Sequence, residues 1–424
     1  MEKVPAEILF NIVSHVYDDI SSDTEESDCR ITLTPLACIS RRWQHPYLTP
    51  ARLSYIRSIY FDFIFPHDHF LGLPVFHMVI KPVLILLAQL PYRRVPCVKF
   101  TLHMPDYPES NLSWWNCELR GQPDRLSDAL VVGYGRTFDY LAPSNMVREI
   151  PDMPMVYEFT VAFETFNLVF EPCSMNQLAG KMTRLQKAEW CLSDNKINLP
   201  DRQKLRSGKS CNFADTLNLI PRSIETFSLR YLRDTPRPRP RSIVPAGANG
   251  DVLSQALRRF TQRDGLLEAF IEGSFDETII WPGAQPTLPR WPTLQKLYVD
   301  FHPVLPSGEC IVKSVFIHSL YGTNRIQAKT DRLLLAAGQG AHHMPEMKWM
   351  GIGIDSAPVL VLNGVNPTCG QLQLVNSLEI GEDVLGAWQQ AMRTHRIMFN
   401  QCTFTRMRYD DLPDFQRWRS ELSW

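Results

Sequence analysis

His67-Asp68-His69 and His342-His343 place imidazoles close enough in sequence to share a metal ion. Gly133-Tyr134-Gly135 and Gly351-Ile352-Gly353 carry paired glycines like those that cradle phosphate, and Trp114-Trp115 could wall a cation. Each pattern falls short of what its chemistry needs. A zinc site takes three or four protein ligands at defined spacing, and the ten cysteines are scattered with no Cys-x-x-Cys pair to join these histidines. The glycine pairs lack the third glycine and the strand-to-helix setting of a dinucleotide site. No Gly-x-x-x-x-Gly-Lys-Ser/Thr or Gly-x-Ser-x-Gly stands anywhere in the chain. The residues therefore predict satisfied histidines and packed tryptophans, with no catalytic residue, no metal site and no cofactor, in a protein that is not an enzyme.

Composition narrows the partners. A chain of 424 residues, 44% hydrophobic and 21% charged, can bury a large core as an ordinary globular protein does. A formal net charge of -1, from 44 basic and 45 acidic residues, gives no support for a nucleic-acid or membrane-surface binder. The balance is uneven, however. Asp18, Asp19, Asp23, Glu25, Glu26 and Asp28 cluster with no basic residue among them, so 44 basic residues against 39 acidic ones leave the remainder at +5. That run reads as a solvated loop, and an acid-directed kinase could modify Ser21, Ser22, Thr24 and Ser27 within it. The N-terminus carries charges where a secretion signal needs an apolar core. The most apolar stretch, residues 79 to 90, contains Lys81 and Pro82 and reads as a buried helix too short to span a bilayer. With the unpaired cysteines, this predicts a reducing compartment, cytoplasmic or nuclear.

The elements begin with two short amphipathic helices. Pro5 suits a first helical position, Glu7 sits in the first turn, and Ile8, Leu9, Ile12, Val13 and Val16 share one face. After the acidic run Thr34 can cap a second helix opened by Pro35, with Leu36, Ile39 and Trp43 at spacings of three and four. So small a unit cannot bury these faces by itself.

Val-Pro-Ala-Glu-Ile-Leu-x-x-Ile (residues 4 to 12) followed by Leu-Ala-Cys-Ile-Ser-Arg-Arg-Trp (36 to 43) resembles the F-box, whose usual pattern is Leu-Pro-x-Glu-Ile-Leu-x-x-Ile and then Leu-x-x-Val-Ser/Cys-x-x-Trp. The resemblance implies an F-box-like helical domain over residues 1–50 that docks on a Skp-family adaptor of a cullin-RING ubiquitin ligase. Pro5, Ile8, Leu9, Ile12, Val13, Leu36, Ile39, Ser40 and Trp43 match the adaptor-binding positions. Val4 stands where leucine is commoner, and residues 18 to 31 lengthen the link between the helices.

Beyond residue 50 apolar side chains recur at relative positions 0, 3, 5 and 7. They do so from Ile56, Val95, Val156, Leu185, Ile224, Leu294 and Met347, with a weaker copy from Val375 to Ile380. The last three positions alternate as a half-buried strand requires. This resembles the core of a leucine-rich repeat, at irregular intervals and without the repeat asparagine. Segments 291 to 303 and 344 to 350 also look like parts of long F-box proteins of filamentous fungi. Between strands, Asp251 can cap a helix over 252 to 260, Thr330 or Asp331 can cap one over 332 to 337, and Asp383 lies at the start of one over 384 to 394. The alternation predicts an α/β domain over residues 51–424, an irregular leucine-rich-repeat-like solenoid of strands and helices. Asp234 to Ser242, with alternating Pro and Arg, reads as a surface loop.

Residues between the core positions should form an open face: Tyr60 and Asp62, Lys99 and Thr101, Glu189 and Cys191, Ser228 and Arg230, Tyr298 and Asp300. Arg230, Tyr298 and Asp300 are the expected substrate contacts. The whole reads as the substrate-recognition subunit of an SCF-type (Skp-cullin-F-box) ubiquitin ligase, or else as a leucine-rich-repeat-like interaction scaffold with no ligase role.

Overall fold

The computed structural model describes residues 57–62, 81–104, 147, 149–163, 172–193, 212–232, 242–244, 247–283, 288–311, 323–354, 357–363, 371–374 and 381–395. The helical domain expected over residues 1–50, with its nine adaptor-binding positions and acidic link, lies outside the described residues, as do His67 to His69, Trp114-Trp115, Gly133 to Gly135 and the Arg-Pro loop.

Among the described residues, period-two alternation builds ten strands: β1 (Ser58–Asp62), β2 (Val98–Met104), β3 (Val156–Phe163), β4 (Lys187–Ser193), β5 (Thr226–Leu232), β6 (Glu268–Gly273), β7 (Lys296–Phe301), β8 (Trp349–Ile354), β9 (Ala357–Asn363) and β10 (Gln371–Leu374). They form one sheet in sequence order. β1 to β8 pair in parallel, and β9 and β10 add antiparallel strands at the end. A parallel neighbour is reached only by a crossover, so each connection must climb over the sheet and return. Helices among the described residues include α1 (Lys81–Ala88), α2 (Pro172–Lys181), α3 (Val252–Thr261), α4 (Thr323–His342) and α5 (Glu382–Thr394).

Pairing stacks like residues into rows. Ile59, Phe100, Phe159, Ala188, Phe227, Ala269, Leu297 and Met350 are register partners across β1 to β8, and Leu102, Val161, Trp190, Leu229, Ile271, Val299 and Ile352 follow two residues on. These rows join Leu84 and Leu87 of α1, Leu178 of α2, Leu257 and Phe260 of α3, Leu334 of α4 and Trp388 of α5 in one apolar cluster. The helices thus cover one face of the sheet.

Three sequence expectations need correction. A strand was not expected at β6, where Leu266, Ala269, Ile271 and Gly273 hold the repeat positions; Ala and Gly carry too little apolar surface to signal it. The second copy is shifted by two residues: Phe100 pairs with Ile59 and Phe159, Val98 meets Val156 across a register irregularity before Lys99, and Val95 is 67% exposed. Thr330 and Asp331 lie inside α4, which starts at Thr323, and not at its N-terminus. The weaker copy from Val375 to Ile380 lies outside the described residues.

Asp251 does cap α3, accepting from the Ser254 N–H at 2.8 Å and the Ser254 hydroxyl at 2.9 Å. Its own N–H donates at 2.7 Å to Asp276, which also accepts from the N–H of Thr278 at 3.0 Å and from its hydroxyl. The two caps tie the start of α3 to the turn after β6. Burial pushes the Asp276 carboxyl up to about 6 despite the Thr278 hydrogen bond, and the Asp251 carboxylate adds to the rise. A raised carboxyl binds its proton more tightly in the folded state, so this contribution to stability is present at acid pH and is lost as pH rises from about 4 through 6. The loss should be on the order of 3 kcal/mol. Asp276→Asn, which cannot titrate, should flatten the stability profile over that window in urea titrations; profiles that stay parallel would assign the dependence elsewhere.

Candidate functional site

The face of the sheet away from the helices is polar, because every strand places its intervening residues there. One row runs Lys99, Glu158, Lys187, Thr226, Glu268, Lys296, and the next Thr101, Thr160, Glu189, Ser228, Phe270, Tyr298. A third includes Cys191, Arg230, Glu272 and Asp300. Parallel neighbours stand about 4.8 Å apart, which lets opposite charges meet between strands.

They meet in series. Lys99 Nζ lies 2.9 Å from Glu158 Oε1, Lys187 Nζ 3.3 Å from the same oxygen and 3.3 Å from Glu189 Oε2. Further along, Lys296 pairs with Glu268 at 2.7 Å and Arg230 Nε with Glu272 at 2.9 Å. Burial alone would raise Glu158, but its two lysines hold it below the usual carboxylate range. Glu189 is pushed up, because burial outweighs the pull of Lys187. Lys187 is held above the ordinary lysine range by both carboxylates, against the opposing effect of its burial.

Of the three expected substrate contacts, only Arg230 presents its side chain in part to solvent. Tyr298 and Asp300 stand on the polar face as expected, yet they are only 1% and 4% exposed. The expectation of an exposed tyrosine therefore does not hold. The Tyr298 ring stacks on Phe270, centroids 5.0 Å apart, and on Trp349 at 6.0 Å, and its hydroxyl donates to Asp300 Oδ2 at 3.2 Å. It lies flat against β8 because Gly351 and Gly353 leave room. A Cβ on Gly351 would come 2.7 Å from the tyrosine ring and 2.6 Å from Trp349, and one on Gly353 2.3 Å from the Tyr298 oxygen. The paired glycines of Gly351-Ile352-Gly353 thus seat an aromatic ring. Phe270, Glu158, Thr160 and Glu272 were missed in sequence, although each sits at an alternate position of its strand.

His342 and His343 each have a partner within the fold. His342 Nδ1 lies 2.6 Å from the Thr394 hydroxyl, and His343 stacks on Trp281 at 5.2 Å. Among the described residues no three His, Cys, Asp or Glu side chains gather where they could hold a metal ion, and no helix is long and apolar enough to cross a membrane. No protein-family model, curated protein or solved structure matches the chain.

Burial on both faces of β7 has a measurable consequence. Leu297→Ala should cost about 2 to 5 kcal/mol, and Tyr298→Ala should cost a similar amount rather than leaving stability intact. Gly351→Ala should also lower the melting temperature, by displacing Tyr298 and Trp349. Thermal unfolding by circular dichroism checks all three; a neutral Tyr298→Ala would mean that the ring is not packed as described.

Proposed function

We propose that the chain is a non-catalytic substrate receptor of an SCF-type ubiquitin ligase. The observation that carries this reading is the ordered pair of segments, residues 4 to 12 and 36 to 43, with Pro5, Ile8, Leu9, Ile12, Val13, Leu36, Ile39, Ser40 and Trp43 in F-box positions. Those helices would hold a Skp-family adaptor by apolar burial, and the sheet domain would hold the protein to be modified. Ubiquitin transfer would then follow from proximity to the other ligase subunits.

The sheet supports the second half of the reading. Eight parallel strands in sequence order, with helices over one face, are what a leucine-rich-repeat-like solenoid requires. The polar face mixes charged groups of both signs with few aliphatic ones, as selective protein surfaces do. Arg230, in part exposed on that face, is the contact of the original three best placed to meet a partner.

Co-expression with a Skp-family adaptor and a cullin provides the test. Wild-type chain should co-purify with both, whereas Leu9→Ala combined with Ile12→Ala should lose them, since each truncation removes about 2 to 5 kcal/mol from a packed interface. Elution of the folded wild-type chain alone would favour an interaction scaffold without a ligase role.

A further inference from the structure

The lysine and carboxylate series on the polar face breaks off in one place. Glu158 has a lysine on either side, Lys99 at 2.9 Å and Lys187 at 3.3 Å. Glu189, on the next strand, is reached among the described residues by Lys187 only, at 3.3 Å. Its register partner on the far side is Ser228, and on the near side Thr160. Neither hydroxyl has a hydrogen-bond partner, although Ser228 is 1% exposed and Thr160 7%. A buried hydroxyl without a partner carries a desolvation cost that a correctly placed ligand would relieve. Glu189 itself is 7% exposed, and burial already holds its carboxyl above the usual range. Another positive charge beside it would offset that burial.

We infer that Glu189, between the unpaired hydroxyls of Thr160 and Ser228, is the seat for an arginine or lysine side chain of the captured protein. The inference rests on the proposal that this face captures a protein, and it names the chemistry the face would select. An incoming cation continues the alternation that Lys99, Glu158, Lys187 and Glu189 begin. A guanidinium carries five N–H donors and no acceptor, so while it bonds the carboxylate it keeps donors for one of the flanking hydroxyl oxygens. An acidic or neutral residue at the same point would leave Glu189 as it is and supply fewer donors.

The probe is a random peptide library displayed on phage and panned on the full-length chain. Enriched peptides should carry a basic residue at one fixed position. Replacing it by citrulline or norleucine should weaken binding to the wild type about tenfold or more, as expected for a lost charge-assisted hydrogen bond. Against Glu189→Gln the same replacement should change little, while Glu346→Gln, in an exposed turn, should behave as the wild type. If Glu189→Gln does not fold, Ser228→Val, which fills the seat, should show the same loss of discrimination. Enriched peptides without a basic residue, equal discrimination by wild type and Glu189→Gln, or no enrichment at all would each overturn the assignment; in the last case water alone fills the seat. Adaptor co-purification is unaffected by any of these outcomes, so failure here is distinguishable from failure of the ligase reading.

Discussion

A continuous line of aromatic rings runs through the middle of the core, and the sheet is organised around it. Phe100 stacks on Phe159 with centroids 5.7 Å apart, Phe159 meets the edge of Trp190 at 6.0 Å, Trp190 meets Phe227 at 5.5 Å, and Phe227 meets Phe260 of α3 at 4.6 Å. Each contact spans a strand boundary or the boundary between sheet and helix layer, so no repeat can shift without opening a gap beside a large ring. All five rings are buried. A second, shorter line joins Phe213, Tyr231 and Phe275 toward the C-terminal ends of the strands, at 5.7 and 6.5 Å. Where β6 offers only Ala269 and Gly273 in these rows, Phe260 and Phe275 fill the space from outside the sheet.

The polar face follows from the same strands by alternation, but its energetics differ. Glu158 and Glu189 are desolvated although, among the described residues, the helices pack on the other face of the sheet. Each therefore needs a partner within the row, and the lysines supply it with their heads still in contact with water. Toward β8 the face changes character. Phe270, Tyr298 and Trp349 stack into an apolar strip, while Arg230 and the Tyr298 hydroxyl satisfy two adjacent carboxylates, Glu272 and Asp300. The strip is a second, smaller core, and it explains why tyrosine can be buried on the side of a strand that sequence alternation assigns to solvent.

Seven of the ten strands were legible in sequence, because an apolar residue every second position is a local signal. Stacking of one strand on the next was implied by the resemblance to a leucine-rich repeat, and β1 to β8 do pair in sequence order, in parallel, whereas β9 and β10 turn antiparallel. What stayed hidden was set by neighbours distant in the chain. β6 looks weak because its partners, and not its own side chains, fill the core around it. The start of α4 was misplaced because Thr330 and Asp331, good caps by type, are held within a helix fixed by packing: Trp388 Nε1 of α5 donates to the Leu334 carbonyl at 2.9 Å. Of the expected contacts on the polar face, Arg230 keeps its side chain partly exposed, whereas the burial of Tyr298 depends on two glycines more than fifty positions away. The adaptor-binding positions lie outside the described residues and rest on the sequence pattern.

The alignment of β2 on β3 shows what sets register in such a sheet. Apolar alternation has a period of two, so a strand moved by two residues still turns its apolar face to the helices, and the core rows alone discriminate poorly against it. Aligning Val95 with Val156 would do so, placing Val98 beside Phe159 and Phe100 beside Val161. It would also set Lys99 beside Thr160, leaving Glu158 without one of its two lysines. A comparable slip between β3 and β4 would put Glu158 directly opposite Glu189, two carboxylates at the distance of neighbouring strands, where like charges destabilise pairing. In the observed register Lys99, Glu158 and Lys187 fall side by side. The charged row therefore specifies an alignment that the apolar rows leave nearly degenerate, and the same row supplies the groups from which a binding face is built.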